Sequence, residues 1–234
     1  MPIKAVILLS GGLDSATVSA IAKSKGYQLY GLSLSYGQSH EIELKAAKKI
    51  AKRLGFQEHQ ILKLPFGQWG GSALLKQDSQ KIPLNRSDEE IAQGIAPTYV
   101  PARNTIFLSL ALSWAEVLKA DAIFLGVNAI DYSGYPDCRP DFLQAFQNLI
   151  QVATKESIEG KWQPKIEAPL LHLTKAQIIN KGIALGINYS LTHSCYNPNS
   201  KGVACGQCDS CRLRLKGFHE AGLKDAIKYQ NGLS

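Results

Sequence analysis

The sequence predicts an α/β fold: one parallel sheet with helices on both faces. Three observations carry that prediction. A short apolar run, Lys4-Ala5-Val6-Ile7-Leu8-Leu9, closes on Ser10-Gly11-Gly12 and passes straight into a helical pattern. The order then repeats, and strands joined through helices pair in parallel with right-handed crossovers. Finally, 234 residues at 45% hydrophobic content suit one such domain carrying a small appendage.

In chain order, the first strand ends at a glycine turn, and the following helix has cap-type residues at Asp14 and Ser15. Its apolar positions are Ala16, Val18, Ala20, Ile21 and Ala22, and Gly26 stops it. A second strand over Gln28 to Leu34 leads into Ser35-Tyr36-Gly37-Gln38-Ser39-His40. The next helix places Ile42, Leu44, Ala47, Ile50 and Leu54 on one face. From Leu64 to Pro97 the pattern dissolves into Pro, Gly, Ser and charged residues, which predicts a surface insertion at 65–97 acting as a mobile lid. Thr105 to Leu118 reads as a helix and Asp121 to Val127 as a strand. Phe142, Ala145, Phe146, Leu149 and Ala153 form the stripe of another helix, and Thr174-Lys175-Ala176-Gln177 has the form of a capping box.

Composition narrows the class. No charged leader or apolar run near eighteen residues opens the chain, so neither secretion nor a membrane span is expected. Four of the five cysteines fall between Cys195 and Cys211, too local for a disulfide framework in a chain this size. A reducing, cytoplasmic setting and a bound metal are expected. The net charge of +7 suits nucleic acid or an anionic small molecule equally.

The loop Ser10-Gly11-Gly12-Leu13-Asp14-Ser15 sets two glycines where a backbone must approach an anion, with hydroxyls on both sides. N–H groups at the helix start would face phosphate oxygens, aided by the helix dipole. A βα turn that happens to contain Gly-Gly is the plainer reading of the glycines alone. Neither G-x-x-x-x-G-K-[ST] nor G-x-G-x-x-G occurs, so those two nucleotide folds do not compete.

Cys195, then Cys205-Gly206-Gln207-Cys208-Asp209-Ser210-Cys211 after nine residues, can close a thiolate tetrahedron around structural Zn²⁺ within a segment at 193–216. A redox pair and an iron–sulfur cluster are the alternatives. Full thiolate coordination leaves no open position, so the metal would be a staple that pins Tyr196 to Ala204 against the last helix. Arg212, Arg214 and Lys216 on that helix read as local positive charge, either a nucleic-acid contact or a solvated face. Cys138 stands apart as a packed thiol.

Three further stretches place polar residues where open α/β sheets bind ligands. They are Tyr36 to His40, Val100-Pro101-Ala102-Arg103-Asn104-Thr105 and Asn128 to Arg139. Arg103 there can neutralise a carboxylate or phosphate at a helix start. Each stretch also has a bland reading as turn, cap or loop.

The loop SGGLDS matches the SGGxDS signature of the PP-loop ATP pyrophosphatases. SYGQSH, VPARNTIFLSLA, DYSGYPDCRPDF, EAPLLHLTKAQI and SCYN with CGQCDSCRLR extend the likeness from Ser10 to Arg214. The chain resembles the 7-cyano-7-deazaguanine synthase family within that group. The resemblance implies a Rossmann-like, adenine nucleotide alpha hydrolase-like sheet forming a single domain over 1–234, with a four-cysteine zinc segment near its end. It implies that Ser10, Gly11, Gly12 and Ser15 cradle the ATP phosphates, with Asp14 near Mg²⁺ or the helix cap. Leu9, Leu13 and the turn Ala16, Thr17, Val18 and Ser19 would line the remainder.

The substrates so implied are ATP, ammonia and 7-carboxy-7-deazaguanine. The carboxylate would be adenylated and aminated, and the amide oxygen then activated again to give the nitrile. A flat base calls for stacking and edge hydrogen bonds, for which Tyr36, Gln38, Asn104, Asp131, Tyr135 and Asp137 are candidates. Arg103 and Lys175 would hold the carboxylate or phosphates. A homodimer is also implied, with no membrane and no nucleic acid required. Two other functions compete: a PP-loop enzyme that modifies tRNA by thiolation or amination, and a non-catalytic zinc-ribbon adaptor. The intact loop speaks against the adaptor, and the commitment of four of the five cysteines, with no spare domain expected, against tRNA modification.

Overall fold

A computed structural model describes residues 2–37, 42–75, 80–130, 135–230 and 232. Five strands form one parallel sheet in the order β3-β2-β1-β4-β5, with β1 Lys4–Leu8, β2 Gln28–Ser35, β3 Glu58–Lys63, β4 Ala122–Phe124 and β5 Lys165–Glu167. The helices are α1 Leu13–Ser24, α2 Ile42–Leu54, α3 Asp88–Ala92, α4 Arg103–Leu118, α5 Pro140–Ala153, α6 Lys155–Ile158, α7 Lys175–Ala184 and α8 Asp209–Glu220. No helix among the described residues is long and apolar enough to cross a membrane.

Side-chain alternation along β1 builds both layers. Val6 packs with Leu108, Leu112 and Ala115 of α4 and with Leu143, Phe146 and Ile150 of α5. Ala5 and Ile7 face the other way, onto Leu13, Val18 and Ile21 of α1, Ile178 and Ile179 of α7, and Phe218 of α8. The chain runs outward from β1 through β2 to β3, then resumes at β4 on the opposite side. That reversal opens a crevice at the carboxyl ends of β1 and β4.

The capping box expected at Thr174 is present: its hydroxyl accepts the Gln177 N–H at 3.3 Å, and the Gln177 carboxamide accepts the Thr174 N–H at 2.9 Å. Helix α1 instead has Gly12 as its N-cap, without a side-chain cap bond, so Asp14 and Ser15 lie inside the first turn. On α5 the buried stripe is Leu143, Phe146 and Ile150, while Leu149 is 43% exposed and Ala145 and Ala153 face solvent. Pro140 occupies the first position of the helix, where its missing N–H costs no hydrogen bond.

The expected surface insertion is only partly at the surface. Phe66, Ala73, Leu74 and Leu75 are buried with Tyr36 and Val100, because Phe66 packs on Tyr36 with ring centroids 6.1 Å apart. Farther along, Leu84 bridges to Cys208, the Asn85 N–H donates to Gln207 O at 2.9 Å, and Arg86 pairs with Asp209 at 2.9 Å. The insertion is thus strapped to the cysteine segment.

Candidate functional site

The crevice at the sheet reversal is a cavity whose walls come from the phosphate-type loop, the ends of β2 and β4, the start of α4 and the segment His193 to Tyr196. Gly11 holds φ +88°, and a Cβ there would collide with Glu43 O and lie 2.8 Å from Ala47 N, so α2 lies directly against the loop. Gly126, just past β4, makes a second close approach: a Cβ there would meet Ser15 N at 3.2 Å.

Hydroxyls gather on the loop's backbone. Ser15 Oγ accepts the Gly11 N–H at 3.2 Å, Ser10 Oγ accepts the Gly12 N–H at 3.3 Å, and Ser194 Oγ accepts the Leu13 N–H at 3.4 Å. Ser10 Oγ donates to Ser15 Oγ at 3.1 Å. This cluster of N–H and O–H donors at the start of α1 suits a phosphate. Lys175 Nζ, nearly buried at the start of α7, donates to both oxygens of Asp14 at 2.8 and 3.0 Å. Lys175 therefore joins the site through that ion pair, and Asp14 carries a cation partner from the protein itself.

Leu9, Ser10, Gly12, Leu13, Asp14 and Ser15 line the cavity, as do Tyr36, Arg103, Asn104 and Tyr135. Ala16, Thr17, Val18 and Ser19 do not, although the resemblance implies them there; each is 0% exposed, and Thr17 Oγ1 pairs with Tyr189 OH at 2.7 Å. The reason is that α1 turns these residues into the core. Asp137 is likewise turned away, since its carboxylate accepts the Asn104 N–H at 3.0 Å. Gln38 and Asp131 lie outside the described residues.

Arg103 opens α4, with its guanidinium 6.0 Å from the Phe107 ring centroid and hydrogen-bonded to Tyr36. Burial pushes the Tyr36 phenol above its ordinary value, so it stays a neutral donor. Asn104 donates to Asp137 O at 3.0 Å and to Cys138 Sγ at 3.4 Å. Burial and the neighbouring Asp137 push the Cys138 thiol up to about 12, so it is a packed thiol rather than a nucleophile. Sequence reasoning misses Glu43, His193 and Ser194, which also line the cavity. The signal for Ser194 is its place beside Cys195; Glu43 lies inside an ordinary amphipathic helix.

Cys195, Cys205, Cys208 and Cys211 are buried, with their sulfurs within 4.8 Å of one another. Backbone N–H groups point at those sulfurs: Tyr196 at Cys208, Asn197 and Cys205 at Cys195, Gln207 and Cys208 at Cys205, all within 3.2–3.4 Å. Such donors favour thiolates, and four thiolates fit a metal. Hydrogen bonds from Cys208 and Cys211 draw the Cys195 thiol down to about 5. On α8, Arg214 is not surface charge. It is 2% exposed and pairs with Asp225 at 2.6 and 2.8 Å, because the chain after α8 folds back over it. Lys216 on the same helix pairs with Asp88.

Residues 4–222 match the family described as queuosine biosynthesis protein QueC. The chain is 60% identical over 226 residues to a protein of Desulfatibacillum aliphaticivorans named 7-cyano-7-deazaguanine synthase, covering 97% of this chain and 96% of that one. A protein of Geotalea uraniireducens (strain Rf4) with the same name is 54% identical over 232 residues, covering 99% of each. Among solved structures, NMN synthetase from Francisella tularensis shares the fold at TM-score 0.50 and 17% identity, over 96% of this chain and 79% of that one. With the loop, the cysteine segment and nearly every residue of both relatives accounted for, the chain belongs to the QueC family of queuosine biosynthesis proteins.

Proposed function

We propose that the protein is an ATP-dependent carbon–nitrogen ligase that converts 7-carboxy-7-deazaguanine and ammonia to 7-cyano-7-deazaguanine. One observation supports the reading: a single cavity joins the donor-rich loop at Ser10 to Ser15 with Arg103, Tyr36 and Tyr135, groups suited to a nucleotide's phosphates and to a flat acid. The loop cradles the leaving pyrophosphate while the substrate carboxylate attacks the α-phosphorus; ammonia then displaces AMP. The amide oxygen is activated in turn and AMP leaves again as the nitrile forms. Arg103 neutralises the carboxylate, and Tyr36 and Phe107 offer ring faces to the base.

Mg²⁺ would enter with ATP and supply charge neutralisation of the phosphates, with Asp14, paired here with Lys175, as the loop's carboxylate. Cys195, Cys205, Cys208 and Cys211 would hold Zn²⁺, which would supply a structural cross-link with no position left for substrate. A cytoplasmic homodimer acting on small molecules without nucleic acid completes the reading.

The test is turnover in ammonium buffer without RNA, with ATP and the acid labelled with ¹⁸O in its carboxylate. Nitrile should form and label should appear in AMP. Turnover only on addition of tRNA, or AMP without label, overturns the proposal.

A further inference from the structure

Glu43 is a carboxylate that no motif singles out, and it lines the cavity together with the loop and Arg103. It lies in the first turn of α2, with its backbone against Gly11 of the phosphate loop. No hydrogen bond or ion pair holds it among the described residues. The titratable groups facing the same space are Tyr36 from the end of β2, Asp14 from α1, Arg103 from α4, Tyr135, Cys138, and His193, Cys195 and Tyr196 from the cysteine segment.

The reaction just proposed has a proton problem, and this inference rests on that reading. Carboxylate activation releases no proton from substrate: a carboxylate oxygen bonds to the α-phosphorus and pyrophosphate leaves. Ammonia addition forms a C–N bond, breaks the C–O bond to AMP and must shed one proton from nitrogen. Conversion of amide to nitrile breaks the second C–O bond as AMP leaves, and must shed both remaining N–H protons. We propose that Glu43 accepts these protons from the substrate nitrogen and passes them to solvent through the open side of the cavity. Its surroundings suit a base. Burial raises the carboxyl from 4.5 to about 7 against the opposing pull of Arg103, close to the ambient pH at which a base both ionises and accepts best.

The experiment compares wild type with Glu43→Gln in two assays. One is pyrophosphate exchange into ATP driven by 7-carboxy-7-deazaguanine without ammonia, which needs no base. The other is nitrile formation from the corresponding amide with ATP, measured across pH. The variant is expected to keep acid-driven exchange within about threefold while nitrile formation falls about 100-fold or more. The wild-type rate should rise with pH through about 7 and this limb should vanish in the variant. Exchange that falls in parallel with nitrile formation, a raised Mg²⁺ requirement, or retained nitrile formation overturns the role of Glu43. Wild type that makes no nitrile from the amide, by contrast, overturns the functional reading itself.

Discussion

The backbone N–H of His193 donates to the carbonyl of Gly11 at 2.9 Å, so the chain that enters the thiol cluster is stitched to the phosphate loop. Two residues later Cys195 supplies its sulfur, and Ser194 between them reaches the Leu13 N–H at 3.4 Å. Stripping the metal proposed at the four thiols with a chelator should therefore lower the melting temperature and also raise the KM for ATP in the exchange assay by about tenfold, the scale of disturbed supporting contacts. Restoring zinc should restore both. A chelated protein with unchanged KM would show that the thiol cluster and the loop are independent.

The pair Asp14 and Lys175 gives a cycle. Lys175 is 8% exposed at its side chain and Asp14 is 21% exposed, so removing one partner strands the other charge. Lys175→Met should cost about 3–5 kcal/mol in denaturant unfolding. Adding Asp14→Asn to it should recover most of that stability without recovering turnover, since the phosphate site needs the charges even where the fold does not.

Glycine is required at position 11 for two separable reasons, the positive φ and the contact with Glu43 O. Gly55 shares only the first: its φ is +75° and a Cβ there meets nothing within 4 Å. Gly55→Ala should cost about 1–2 kcal/mol and leave exchange intact. Gly11→Ala should abolish exchange, because α2 cannot withdraw without moving the loop; substrate-driven exchange within about threefold of wild type would show that it can.

Glu43 also sets a pH dependence of stability. Its folded pKa is raised from 4.5 to about 7, so between those values the native state binds the extra proton and stability falls as pH rises. Above pH 7 the penalty is complete. Glu43→Gln should therefore be more stable than wild type at pH 8, by about 1–3 kcal/mol after solvent exposure is allowed for. The two proteins should melt together at pH 4, which thermal scans at the two pH values will read directly.

What is legible in the sequence and what is hidden follow physical lines. β1, β2 and α1 are legible because buried strands and a helix with a glycine stop write continuous apolar patterns. The four thiols are legible because ligand spacing is local. Arg214 reads as surface charge because nothing near it in sequence announces Asp225, which closes over it from beyond the helix. Glu43 is unreadable for the same reason: its setting is made by Gly11, Tyr36 and Arg103, brought together only by the sheet. Ala16 to Ser19 are hidden in a different way: the motif gives no sign that all four side chains are enclosed in the core around α1.

β3 escapes a reading of the sequence because Glu58, His59, Gln60 and Lys63 leave it little apolar signature, and most of it is exposed at the sheet's border. That polarity has its own use. An open parallel sheet leaves a row of unpaired peptide groups along its last strand, a template on which another chain can lay down its own strand. The exposed charged side chains Glu58 and Lys63 at the two ends of β3 make such an association costly.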